Sequence, residues 1–334
     1  MRPADDIRRE LDGGPNIVVL KPKREPSFSD YIISAVELEA AHFDPPKYVV
    51  HDILAVGLAV LSAPPKIGKT WMDMMMSDAV ASGAAFAGCK PVDQGDVLLL
   101  DLEGNRRRAQ IRFKKLRQGE KAPAGLDIAN EWPRMDRGGL DLIRAWAKAR
   151  KRPRLVVIDI WVKFRPANAD AYQFDYDCVK KLQELAHELG VAIVLVHHNR
   201  KAQDADWLNE ISGSQGIAGG ADTIITIRRD RGAADAVLHV TGRDVEEQEL
   251  ALKFDKDSCR WTIVGDAAEH RMSETRRAIF DLLERQGAMS PKEVADELGI
   301  KRDLAKQTLG RMFKDGTVRS CGRGRYSAVC GDGR

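Results

Sequence analysis

Cysteine is scarce in this chain, and the five present (Cys89, Cys178, Cys259, Cys321 and Cys330) form no C-x-x-C pair and no metal-ligand spacing. That excludes a disulfide framework and a cysteine zinc site, and it fits free thiols in a reducing cytoplasm. Long hydrophobic runs are missing as well. The apolar stretch near Leu54 to Ser62 falls far short of the roughly 20 residues a membrane-spanning helix needs. The N-terminus is charged from Arg2 to Glu10, unlike a secretory leader. The expected location is the cytoplasm, with no membrane partner. Nor is there a strong excess of one charge: +3 over 334 residues does not by itself mark a nucleic-acid binder. Its distribution is more telling, because residues 271–334 hold 14 Lys and Arg against 9 Asp and Glu. A chain of this length is expected to make about two domains.

What the chain does have is Ala63-Pro64-Pro65-Lys66-Ile67-Gly68-Lys69-Thr70, between a strand-like apolar run (Ile53 to Leu61) and a helical one beginning at Trp71. Strand, tight loop and helix N-terminus together aim backbone N–H groups and a helix dipole at a polyphosphate. This predicts an ATP site lined by residues 63–71, with Lys69 on the β- and γ-phosphates and Thr70 holding Mg²⁺. Ala63 stands where such loops usually carry glycine, and alanine tolerates a positive φ less well. The bland alternative is an ordinary helix start with a surface lysine.

Val156-Val157-Ile158-Asp159 reads as a buried central strand that delivers Asp159 to the same sheet edge as a second Mg²⁺ handle. Ile160 follows, so the base that activates water has to come from elsewhere. Glu103, at the exit of the strand Asp96 to Asp101, is the candidate catalytic base. Asp101 is the runner-up, with a structural role the alternative. The next strand ends in His197-His198-Asn199-Arg200. Adjacent strand residues point to opposite faces, so the two histidines do not chelate one metal, and one of them is the candidate γ-phosphate sensor.

These motifs, with Leu102-Glu103-Gly104-Asn105 and Thr241-Gly242-Arg243-Asp244, resemble the RecA-like ATPases, and among them the RepA-type replicative helicases of plasmids, phages and integrating elements. The resemblance covers roughly residues 45 to 264. It implies an α/β fold, a mostly parallel sheet with antiparallel additions. It also implies Lys69 and Thr70 on ATP and Mg²⁺, Glu103 as base, Asp159 as metal ligand and His197 as sensor. It further implies a homo-oligomeric ring, a hexamer, with a replication initiator or primase as partner. Arg243 would act as an arginine finger on the neighbouring subunit's ATP, although Thr241 replaces the lysine that accompanies it in related rings. Arg228, Arg229 and Arg231 are rivals.

Three regions are expected: an arm over residues 1–44 with a short helix from Asp30 to Ala41, the ATPase core over 45–265, and a small domain over 271–330. Trp71, Met74, Met75 and Ala79 recur at helical spacing and mark helix-to-sheet packing. Leu182, Leu185 and Leu189 do the same for a helix from about Phe174 to Leu189. Four late strands, starting near Asp222, Ala236, Glu249 and Arg260, read as antiparallel additions. Two loops are expected at a central channel. One, Phe164 to Asp177, carries Phe164, Arg165, Tyr172, Phe174 and Tyr176; the other, Asn199 to Gly220, carries Arg200 and Lys201 as contacts to single-stranded DNA.

In the tail, Ser273 to Gln286 is amphipathic, Ser290-Pro291 signals a helix start, and a third helix from about Lys301 to Lys314 precedes a hairpin around Gly322-Arg323-Gly324. This is the order of a winged helix. Leu304, Thr308, Leu309 and Met312 are expected inside, and Lys306, Gln307 and Lys314 outside on duplex DNA, with Arg323 and Arg325 on its phosphates. The polar stretch Gly265 to His270 reads as a linker. The function so read is an ATP-driven DNA translocase or helicase in replication of a mobile element. The alternative is an ATP-switched DNA-binding protein, in repair, recombination or regulation, that separates no strands.

Overall fold

The computed structural model describes residues 32–167, 172–198, 215–229 and 235–329. Two units divide at Pro45/Pro46. In the first, the only described helix is α1 (Ala35–Ala40), whose start is fixed by a reciprocal capping box between Ser34 and Glu37. It is shorter than the helix expected from Asp30 to Ala41.

The second unit is built on runs of aliphatic residues buried on both faces, the pattern of strands covered by helices above and below. A small hairpin, β1 (Tyr48–Val50) and β2 (Leu54–Ala55), leads into β3 (Gly57–Ala63), the P-loop and helix α2 (Lys69–Ser82). There follow β4 (Asp96–Asp101), α3 (Arg106–Arg117), β5 (Leu126–Ala129), α4 (Gly139–Lys148) and β6 (Pro153–Asp159). Next come α5 (Trp161–Phe164), α6 (Tyr172–Leu189), β7 (Ala192–His198), α7 (Gln215–Gly220), β8 (Thr223–Arg228), β9 (Ala236–Gly242), β10 (Gln248–Asp255) and β11 (Arg260–Asp266). Nine strands form one sheet in the order β11-β10-β9-β8-β3-β7-β6-β4-β5. The fold is α/β, mostly parallel with antiparallel additions.

One late strand departs from expectation. β8 runs parallel to β3, with Ala59 opposite Thr223, and only β9, β10 and β11 are antiparallel. The first channel-facing loop is also corrected. Phe164 is fully buried in α5, Arg165 pairs with Asp175 at 3.1 Å, and residues from 172 onward are helical. The side chains of 172–174, and residues 199–214 with Arg200 and Lys201, lie outside the described residues.

The sheet separates two apolar cores. On one face Met72, Met74, Met75 and Met76 of α2 and Leu116 of α3 pack on Ala59, Leu61, Val157 and Val194. On the other, Ile143 of α4, Trp161 and Phe164 of α5 and Leu182 of α6 pack on Val60, Leu100, Ile158 and Leu195.

The tail begins without a linker. Asp266, the last residue of β11, caps the next helix by accepting from the N–H groups of Ala268 and Glu269, so the expected linker from Gly265 to His270 is instead strand end and helix start. This helix, α8 (Ala267–Gln286), is followed by α9 (Pro291–Leu298), α10 (Arg302–Lys314) and a hairpin of β12 (Val318–Ser320) and β13 (Tyr326–Ala328). Ser290 and Glu293 form a capping box with Pro291 in the first turn of α9. Ile279, Leu282, Val294, Ala305, Leu309 and Met312 make a separate core. Leu304, expected inside, is exposed, and Ala305 takes its place.

Candidate active site

All of the parallel strands end at one sheet edge, and there the P-loop leaves β3. Ala63 is the last residue of that strand and keeps ordinary backbone geometry; the left-handed positions of the loop are Lys66 (φ 66°) and Gly68 (φ 111°). Gly68 is held to glycine by that φ, and a Cβ there would press on the Trp261 ring at 3.3 Å.

Lys69 opens helix α2 directly after Gly68. It is 6% exposed, and its Nζ donates to the carbonyls of Ala63 (2.6 Å) and Pro64 (3.2 Å). Burial lowers its pKa to about 8, against the opposing pull of Asp159, Glu103 and Asp73. The Thr70 hydroxyl donates to Oδ2 of Asp159 at 3.2 Å, so the two candidate metal residues meet across α2 and β6. Burial, followed by Glu103 and Asp101, raises the Asp159 pKa to about 6.

Asp101 accepts from the Gly104 N–H (2.9 Å) and from Asn130, and its carboxylate occupies the space a Cβ on Gly104 would need. It shapes the turn that carries Glu103. Lys163 secures that turn from below by donating to the Leu102 carbonyl at 2.8 Å. Glu103 itself is open to the cleft, and the Nε2 of His198 lies 3.7 Å from its Oε1.

His198, and not His197, lines the P-loop cleft. Strand alternation decides this: Val194, Val196 and His198 share a face with Val157 and Asp159, whereas Ile193, Leu195 and His197 face the other core. His197 is partly buried, and desolvation, then His198, Lys69 and Arg165, lowers its pKa to about 4.

Two further contributors were not anticipated. Asp73, one turn beyond Lys69, is 1% exposed, and its carboxyl lies against that of Asp159. Its pKa is raised well above the usual range, first by burial and then by the neighbouring Asp159. Its place on a Met-rich helix conceals it in the sequence. The second is the β10–β11 hairpin, whose Phe254, Lys256 and Trp261 join Trp71, Arg112 and Arg229 around a cleft of about 860 Å³. Trp71, expected both in the ATP site and among the packing residues of its helix, lines this cleft.

The structure does not bring Arg243 here. It follows β9 at the opposite sheet edge, roughly 20 Å away by the length of β3, and its guanidinium donates to Oδ1 of Asp222 at 3.1 Å. Of the rivals, Arg229 lines the cleft, Arg228 ends β8 and Arg231 lies outside the described residues.

In the tail, Lys306, Gln307 and Lys314 are exposed on α10, and Arg323 is exposed at the hairpin tip. Arg325 donates to the Ala288 carbonyl (2.7 Å) and to Glu293 (3.1 Å), with its side chain 44% exposed.

Residues 22–204 match AAA_25, a family of AAA domains. The chain belongs to that family. Among solved structures, a DnaB-like replicative helicase, described together with its interactions with primase, is 15% identical with a TM-score of 0.50. The match covers 62% of this chain and 57% of that one, so this AAA domain protein spans little more than half the helicase's length. A KaiC-like protein from Pyrococcus horikoshii OT3 is 13% identical, TM-score 0.45, over 66% of this chain and 95% of its own. No curated protein sequence matches. The likeness to the helicase structure is one of fold, an α/β architecture around a mostly parallel sheet.

Proposed function

We propose that this AAA domain protein is a Mg²⁺-dependent ATPase that moves along single-stranded DNA and separates duplex as a ring oligomer, a hexamer, in replication of a mobile element or phage. One observation carries the reading. Lys69, Thr70, Asp159, Glu103 and His198, from four separate places in the chain, converge at one edge of the sheet.

Their donor set suits the implied ion. Thr70 and Asp159 offer one hydroxyl and one carboxylate, and among the described residues no group of three or more His, Cys, Asp or Glu forms a cage. Mg²⁺ is held in that manner, with substrate phosphates and water completing the shell. The ion would supply charge neutralisation at the β- and γ-phosphates. Lys69 would exchange its two loop carbonyls for phosphate oxygens. Glu103 would take the proton of the attacking water, and His198 would hold Glu103 and contact the γ-phosphate. The far-edge position of Arg243 supports a role on a neighbouring subunit, since it is remote from its own chain's cleft.

The tail, read as a winged helix, would place Lys306, Gln307 and Lys314 on duplex DNA at the element's origin, and Arg200 and Lys201 would follow the single strand. A replication initiator or primase is the expected protein partner. The test is ATP turnover with and without unstructured single strands, alongside separation of a forked duplex. Stimulation by single strands together with fork separation supports the motor. Slow turnover indifferent to single strands, with an intact fork, replaces it with an ATP-switched DNA-binding protein.

A further inference from the structure

Helix α3 carries Arg106, Arg107, Arg108, Arg112, Lys114, Lys115 and Arg117 and no acidic residue. Two of these cations have internal work. Arg117 forms an ion pair with Asp78, and Arg112 lines the nucleotide cleft. The others face solvent. Arg106, Arg107, Arg108 and Lys114 have no ion-pair partner among the described residues, and Lys115 lies near Asp255. The buried side of the helix is Ala109 and Leu116. At 100° per residue the centre of the outer face falls on Arg107, Ile111 and Lys114, with Arg108 and Lys115 beside them.

Helix electrostatics does not explain this arrangement. Cations stabilise a helix C-terminus and oppose its N-terminus, yet three arginines occupy the first turn here. A cationic face lacking internal partners fits an external polyanion. Ile111, 55% exposed at its centre, narrows the class. Unpaired bases present apolar faces and phosphates together, whereas a duplex surface offers the phosphates without those faces. Arg107 and Lys114 are about 10 Å apart along the axis, the stacked length of about three nucleotides at roughly 3.4 Å each.

We propose that the outer face of α3 is a binding surface for single-stranded DNA, separate from the expected channel loops and from the tail. It rests on the DNA-directed reading above. The surface also adjoins the chemistry: Asn105, which caps α3 by accepting from the Arg108 N–H at 2.9 Å, is two residues beyond Glu103. A strand held on α3 would therefore bear on the turn that carries the candidate base.

The test uses the full chain carrying Arg107→Glu with Lys114→Glu, and a matched control carrying Lys148→Glu with Lys151→Glu near the end of α4. Binding of a fluorescent single-stranded oligonucleotide is followed by anisotropy across a salt series, and Tm and nucleotide affinity verify the fold. The α3 variant is expected to bind about tenfold more weakly at 0.1 M salt. Its slope of log affinity against log salt should be shallower by about 1.4, two phosphate contacts at about 0.7 each. The control should retain wild-type affinity and slope.

Equal losses in both variants would reduce the effect to net charge and overturn the proposal. Unchanged binding by the α3 variant would also overturn it, and a change in sedimentation alongside would reassign the face to contact between copies. No binding by the wild type would remove the DNA-directed reading itself, a result distinguishable from failure at α3 alone.

Discussion

The Nε2 of His198 lies 3.7 Å from Oε1 of Glu103, although the two residues stand at the ends of strands separated by β6. Burial and Lys69 lower the His198 pKa while Glu103 opposes them, so the ring is neutral near pH 7 and able to hold the carboxylate through one nitrogen. His198→Ala should reduce ATP turnover by about a hundredfold, in the range of a lost acid–base partner. His197→Ala, altering the other face, should cost less than about tenfold. Steady-state turnover of the two purified variants decides between them. A reversed order would return the sensor role to His197.

Asp73 gives a stability prediction of unusual sign. A buried carboxylate facing a second one is a cost to the fold, and both Asp73 and Asp159 have folded pKa values raised above the unfolded value of about 3.9. A raised folded pKa gives stability that is fully present below the unfolded pKa and lost as pH rises through the folded one. Without nucleotide, the protein should therefore lose stability from about pH 4 upward, with the Asp159 part complete just past its pKa of about 6. Asp73→Asn places an amide donor beside Asp159 and should raise Tm by several degrees at pH 8, about 1–3 kcal/mol, with little gain at pH 4. Melting curves at the two pH values test this, and a variant less stable than wild type at pH 8 would refute it.

These residues show what a sequence discloses. Strand β3, the P-loop and α2 were readable because an apolar run, a Gly-Lys-Thr step and helical spacing coincide within a few residues. Asp159 was readable as the carboxylate ending an aliphatic strand. The choice between His197 and His198 needed the register of β7 beside β6, which is a tertiary fact. The direction of β8 depends on its pairing with β3, more than 150 residues away in the chain. The segment holding α3, β5 and α4 had no motif to anchor it, although Leu140, Ile143 and Ala147 carry helical spacing in α4. Asp73 resembled any polar residue on a packing helix until β6 brought Asp159 beside it.

Helix α8 serves two cores, and that determines where the tail can be removed. Ala267 packs with Val237 and Ala251 of the sheet, whereas Ile279, Leu282 and Leu283 belong to the tail core. Truncation after Met272 keeps the first contact and deletes the second. The remaining chain should fold and turn over ATP. Its affinity for duplex DNA should drop and its salt slope become shallower, since the deleted segment is net basic. Unchanged duplex affinity at matched salt would assign the tail to protein docking.

Arg243 is held ready at the edge remote from its own cleft. Asp222 accepts from its guanidinium and also from the Leu58 N–H at 2.9 Å and from Gln183, so the carboxylate that orients the arginine is itself fixed to the start of β3 and to α6. The Arg243 side chain remains 60% exposed, which leaves it free to reach outward. In a head-to-tail ring each interface would pair one subunit's Glu103 with its neighbour's Arg243. Glu103→Gln and Arg243→Ala should each be nearly inactive alone, because one removes the proposed base and the other the proposed cation that would balance charge developing on the γ-phosphoryl group. Mixed in equal amounts with subunit exchange allowed, they should rebuild intact sites at about one interface in four under random assembly. Turnover would return towards about a quarter of wild type if sites act independently, and less if they must act in sequence. A monomer with every catalytic group in one chain predicts no recovery at any ratio. Persistent inactivity, with exchange verified by tag pull-down, would dismiss Arg243 and direct the search to Arg229, which already lines the cleft of its own chain.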